Sequence, residues 1–133
     1  MKSYLVIFSA ILLMCSSCDD CATDNCGPRP EEGRLRIKVN YNNQNSFVPI
    51  TVYQGQYEGN NVFFRDTLRG EDKVEYYVPV DFYYSVTAIY KKNNTTITAL
   101  DGGRISVSSN DNANCDGNCY TVNNSTVNVR LKY

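Results

Sequence analysis

The 133-residue chain has no histidine and no tryptophan, only two methionines and four prolines, and no clear excess of either charge. Without histidine it lacks the usual general base near neutral pH and the commonest zinc ligand. Catalytic triads and other histidine-dependent sites are excluded. Thirteen Lys and Arg against fourteen Asp and Glu leave a net charge of −1. That balance supplies no basic field for a phosphate backbone, so no nucleic-acid partner is expected. No apolar run reaches the about 20 residues that a membrane-spanning helix needs. The length allows one domain of about 100 residues once the ends are set aside.

What is present begins with a short apolar run. Residues 4–14 (YLVIFSAILLM) follow Met1-Lys2, with the length and flanks of a secretory signal. Cys15-Ser16-Ser17-Cys18-Asp19-Asp20 comes next. This resembles a bacterial lipoprotein signal, in which a small residue precedes the cysteine that is lipidated and begins the mature chain. Ser17 is that small residue before Cys18, whereas Met14 would precede Cys15. Cysteine parity agrees. Processing at Cys18 leaves four thiols, Cys21, Cys26, Cys115 and Cys119, and an odd number is awkward in an oxidising compartment. The resemblance implies a signal peptide over 1–17, lipidation at Cys18 and an outer-membrane lipoprotein of the bacterial cell envelope. Asp19-Asp20 resembles the acidic surface-export signal of some Gram-negative lipoproteins. The acyl chains would hold the protein on the membrane at about 0.8 kcal/mol per buried methylene.

Residues 18–32 carry Gly27, Pro28 and Pro30 with no apolar periodicity, and they read as a tether. From Gly33 the pattern changes to period 2. Leu35, Ile37, Val39 and Tyr41 alternate with Arg34, Arg36, Lys38 and Asn40, as in a half-buried strand. Similar segments follow at 47–54, 61–68, 71–80, 82–91, 95–100, 104–108, 119–122 and 126–132. Pro49 predicts a sheet edge for the start of the second. No segment has a helical period, and Asn-, Gly- and Asp-rich turns punctuate the chain. Residues 33–133 are therefore expected to form an all-β domain, a single antiparallel β-sandwich of about seven to nine strands. Alternation on nearly every strand favours one wet face per sheet. The succession GRLRIKVNY, VPITVYQG and EYYVPVDFYYSVTAIY over 33–101 resembles the transthyretin-like, or carboxypeptidase-regulatory-like, sandwich. An immunoglobulin-like sandwich accounts for the same pattern.

Cys21, Cys26, Cys115 and Cys119 are disulfide candidates. Asp116-Gly117 can supply a tight turn between the last two. A bridge from the tether to that pair would close a far longer loop and stabilise more, by about 4–5 kcal/mol. A Cys₄ zinc site is disfavoured by spacings longer than C-x₂-C and by the oxidising compartment. Asn112, Asn114, Asp116 and Gly117 echo half of a calcium loop, but Asn112 and Asn123 stand where the loop needs acids. No metal or cofactor is expected.

Tyr53, Tyr77 and Tyr83 fall on the outward phase of their strands, where exposed rings can stack on sugars or anchor a protein. Asp66, Glu71, Asp72, Glu75, Asp81 and Asp101 are scattered, and a carboxylate pair needs a cleft to raise one pKa. No enzyme activity is expected. Asp66-Thr67-Leu68 resembles an O-glycosylation acceptor of some envelope bacteria. The expected function is passive: a lipid-anchored accessory or adhesion-type module that binds a glycan or protein. A fimbria-like structural subunit and a small envelope inhibitor or immunity lipoprotein are the alternatives.

Overall fold

The computed structural model describes residues 27–110 and 119–132. Nine strands fold as a β-sandwich: β1 (Glu32–Lys38), β2 (Phe47–Gln54), β3 (Val62–Arg69), β4 (Lys73–Pro79), β5 (Tyr83–Lys92), β6 (Thr95–Arg104), β7 (Ser106–Asn110), β8 (Cys119–Asn123) and β9 (Ser125–Asn128). The first sheet has the order β4-β1-β9 and the second β3-β2-β5-β6, while β7 and β8 form a separate ribbon. Period-2 alternation decides which side chains enter the core. Leu35, Ile37 and Val39 leave the first sheet inward, beside Val78 of β4 and Val127 of β9. Val48, Ile50 and Val52 of β2 meet them with Tyr84, Val86, Ala88 and Tyr90 of β5.

Two details depart from the sequence expectation and a third refines it. Among the described strands every pairing is antiparallel except one: β1 runs parallel to β9 from Leu35↔Ser125 to Lys38↔Asn128. The start of β2 is a local edge, as Pro49 predicts, because residues 47–49 pair with β3 alone; from Ile50 the strand is interior, paired with β3 and β5. Proline is tolerated there because the ladder to β5 begins only at Ile50, so its missing N–H removes no bond on that side. Phe82, the first apolar position of the alternation over 82–91 and so expected inward, stands 45 % exposed in the β4–β5 turn; that turn carries Asp81 at φ 68°.

A bulge gives the second sheet its aromatic edge. The β2–β3 register shifts between Val52↔Phe64 and Tyr53↔Val62, which leaves Phe63 as the extra residue. Phe63 lies 5.9 Å from the Tyr84 ring, and Phe64 lies 4.7 Å from Tyr76 of β4. The two rings thus reach toward the core and the opposite sheet. The Tyr76 hydroxyl donates to Asp66 Oδ2 at 2.6 Å, a tie between the sheets beyond their apolar contact. Where the ribbon closes on β1, Gly33 is required. A Cβ there would run into Ile105 and Val122.

Three tyrosines resist ionisation. Burial, then the charges of Glu71 and Asp72, raises Tyr41; burial and the Asp66 carboxylate raise Tyr76; burial raises Tyr84. A folded-state pKa above the unfolded one favours the native state fully below the ordinary value of 10.0. That advantage is lost as pH rises through the folded value. Stability is therefore expected to fall above about pH 10, with the phenolate absorbance of these three appearing together with loss of β-structure. Tyr76→Phe should remove part of that late amplitude. Equal amplitude in the variant would refute the assignment.

Candidate functional site

The strand directions give the sandwich two distinct ends. Residues 27–32 enter β1 at the proximal pole, beside the β4–β5 turn, where Val80 N–H donates to Glu31 O at 3.0 Å and Arg29 pairs with Asp81. The Arg29 hydrogen bond holds the Asp81 carboxyl below its ordinary range. About 20 Å away, at the rise of a seven-residue strand, β1 ends at the distal pole. There the β1–β2 connection, the β3–β4 turn and the β5–β6 turn come together, along with the residues after β9.

The distal pole holds an open cleft of about 430 Å³ lined by Asn42, Asn43, Gln44, Lys92 and Asn93. Two turns build its walls. Asn42 and Asn45 exchange main-chain hydrogen bonds at 3.3 and 3.0 Å, so that Asn43 and Gln44 form a tip. The Asn42 carboxamide oxygen accepts from Gln44 N–H at 2.9 Å and locks that tip as an Asx turn. On the other side, Asn93 and Asn94 have φ 49° and 61°. This left-handed pair, which asparagine tolerates well, is the favoured two-residue connection between β5 and β6. The walls are joined where Asn93 N–H donates to Gln44 Oε1 at 3.3 Å.

Asn45 fixes this arrangement from below. It is buried, and its carboxamide donates to Lys91 O at 2.8 Å while accepting from Lys91 N–H at 2.6 Å. Those bonds imitate a sheet ladder just beyond the point where β2 and β5 stop pairing. Its amide also donates to Asn42 Oδ1 at 2.9 Å. The cleft is thereby tied to the main chain of a core strand.

Charge is uneven along the molecule. Lys38, Arg69, Lys73, Lys91, Lys92, Arg130 and Lys132 lie toward the distal pole, together with the carboxylates of Glu71 and Asp72 and, bound to the N–H of Asn128 at the level of Lys38, that of Asp101. Asp72 is engaged by Arg130 at 3.3 Å. Among the described residues no carboxylate pairs with Arg69 or Lys91. The Arg69 guanidinium lies 4.4 Å from the centroid of the Phe47 ring, itself 51 % exposed. This pole can offer amide donors and acceptors, positive charge and an exposed aromatic edge.

The three tyrosines expected to form a binding surface do not share one. Tyr77 is 71 % exposed on the outer face of the first sheet, opposite Arg34. It borders a recess of about 240 Å³ with Glu32, Gly33, Arg34, Val122 and Asn124. Tyr53 and Tyr83 belong to the other sheet. Tyr53 does lie on the outward phase but is only 9 % exposed. The 3₁₀ turn η1 (Tyr57–Gly59) folds back over it, with Tyr57 edge-on at 5.3 Å. Tyr83 is half-buried against Gly102, where a side chain would collide with its ring. A loop returning onto its own sheet removes Tyr53 from any surface site.

The carboxylates have structural partners. Glu75 accepts from Arg36 Nε at 2.7 Å and is held below its ordinary range by that bond, helped by the charges of Arg34, Arg36 and Lys73. Asp101 accepts from Asn128 N–H at 2.6 Å and so ties β6 to β9. Thr67 of the Asp66-Thr67-Leu68 triplet is exposed on β3, while Asp66 accepts from its N–H at 2.7 Å.

Cys119 opens β8, is 5 % exposed and is disulfide-bonded, its partner lying outside the described residues. Cys18, Cys21, Cys26 and Cys115 also lie outside them, as do Asn112, Asn114, Asp116 and Gly117. Among the described residues no group of His, Cys, Asp and Glu is placed to hold a metal. Among them, too, no helix is long and apolar enough to cross a membrane.

No protein-family model, curated protein or solved structure matches the chain. The site must be read from its own chemistry. The distal cleft has no signature in the sequence, where the asparagine-rich stretches after Tyr41 and Lys91 count only among the turns. Their meeting depends on β1 and β5 ending at the same pole, a non-local fact.

Proposed function

We propose that the protein is a non-enzymatic, lipid-anchored module of the bacterial cell envelope that binds a glycan or protein at the cell surface through its distal pole. The observation that carries this reading is the opposition of the two poles. The chain segment leading from Cys18 enters at one end, and the amide-lined cleft opens at the other. A lipid at Cys18 would hold the first end near the membrane and leave the second facing outward. Protein interfaces concentrate their energy in buried aromatic and arginine anchors, whereas this cleft is lined by amides and an ammonium. That lining favours sugar hydroxyls. The outer-membrane location, the surface side and the transthyretin-like kinship belong to the same proposal; the succession behind the kinship falls on β1, β2, β4 and β5.

Two measurements test it. Intact mass of protein purified from its native membrane should show a diacyl- or triacyl-modified chain beginning at Cys18, and Cys18→Ser should move it out of the membrane fraction. A panel of immobilised neutral and acidic polysaccharides should then retain the protein, with retention lost in the double variant Asn43→Ala, Gln44→Ala. An unmodified mature protein overturns the anchor. Retention on no polysaccharide, or undiminished retention of the double variant, overturns the glycan site.

A further inference from the structure

We infer that the distal cleft takes an acidic, carboxylate-bearing glycan, an inference that rests on the glycan reading above and adds the ligand's charge. Each carboxamide offers both a donor and an acceptor, as the adjacent hydroxyls of a sugar ring require. Asn43 and Gln44 sit on one wall and Asn93 on the other. Much of the ordering cost of a binding loop is already met, because the Asn42–Asn45 turn is tied to β5 through Asn45.

The charge pattern then separates acidic from neutral ligands. Lys92 lines the cleft, while Lys91 and Arg69 stand at the same pole on the outward phase of β5 and β3, Arg69 beside the exposed Phe47 ring. Neither Arg69 nor Lys91 pairs with a carboxylate among the described residues. A polymer bringing carboxylates would therefore meet Arg69 and Lys91 without first displacing an acid among the described residues. The full chain is nearly neutral, so this is a local field at one pole. It acts within a Debye length of about 8 Å at physiological salt, which demands close docking. An anionic membrane is a poorer occupant, since the segment that would carry the lipid enters at the opposite pole.

The test uses the full chain, with its native N-terminus, in nonionic detergent. The probes are polygalacturonate, its fully methyl-esterified form, and phosphatidylglycerol vesicles. The two polymers share a backbone and differ in charge. Polygalacturonate is expected to bind about tenfold or more tightly than the ester, and to weaken by a similar factor between low and high salt. Arg69→Gln and Lys91→Gln, whose side chains are exposed, should each weaken polygalacturonate by about threefold and leave the ester unchanged. Asn43→Ala with Gln44→Ala should weaken both polymers. Equal binding of the two polymers would overturn the acidic ligand and leave the glycan reading standing. Binding to neither would overturn both, and binding to vesicles alone would replace the glycan with a lipid surface.

Discussion

Replacing Ile37 by Ala is expected to cost about 2–5 kcal/mol of unfolding free energy, read as a lower denaturant midpoint with an unchanged slope. Ile37 is fully buried at the centre of the first sheet. Val74 of β4 is its register partner on one side and Val127 of β9 on the other. Both neighbouring strands are hydrogen-bonded to β1, so the backbone cannot close readily over the space left behind. A domain of this kind has about 5–15 kcal/mol in total, which makes the loss a large share. Thr98→Ala provides the contrast. Thr98 is exposed on β6, and truncation there should stay within about 0.5 kcal/mol. Equal shifts in the two variants would show that the sandwich interior is not where the alternation places it.

That contrast also explains why so much of the fold could be read in advance. A strand with one wet face must alternate, so β1 and β4 announce both their existence and their buried phase; β5 alternates in polarity too, although Ser85 and Thr87 on its other face are also buried. Tyr53 marks the limit of the method. Its phase was legible, but its exposure depends on η1 folding back from the next connection, through the positive-φ Gly55. Pro49 marks the same limit for the backbone. Proline reads as an edge and stands at a local one, since the ladder to β5 starts a residue later, but it gives no sign that the rest of the strand is interior. The parallel pairing of the first and last strands has no local signature at all. The cleft belongs with these non-local facts, since asparagine-rich segments signal turns but not which turns will meet. Tyr77 alone of the three expected tyrosines kept an open ring, and it did so on the sheet opposite to the other two.

Asn45 joins the fold to the cleft, and its substitution should affect both. Asn45→Ala leaves the N–H and C=O of Lys91 without their carboxamide partners, at about 1–3 kcal/mol for each group that water does not reach. The Asn42 carboxamide loses a donor at the same time. The amide of Lys91 should then exchange with solvent faster, while amides in the β1–β4 ladder respond only to global unfolding. Polysaccharide retention should fall even though Asn45 does not line the cleft. Asn45→Asp sharpens the prediction because it preserves shape. The new carboxylate would still accept from Lys91 N–H, but its other oxygen would face two acceptors, Lys91 O and Asn42 Oδ1. Its folded-state pKa is therefore expected to rise, since the protonated form can donate where the ionised form cannot. By linkage, this variant should be most stable below the ordinary aspartate range and lose stability as pH rises through the folded value, before levelling off. That slope is opposite to the one a depressed carboxylate such as Asp81 produces. If Asn45→Asp melts at the parent temperature at pH 7, the carboxamide does not support the cleft, and the rigid turn on which the glycan site depends loses its foundation.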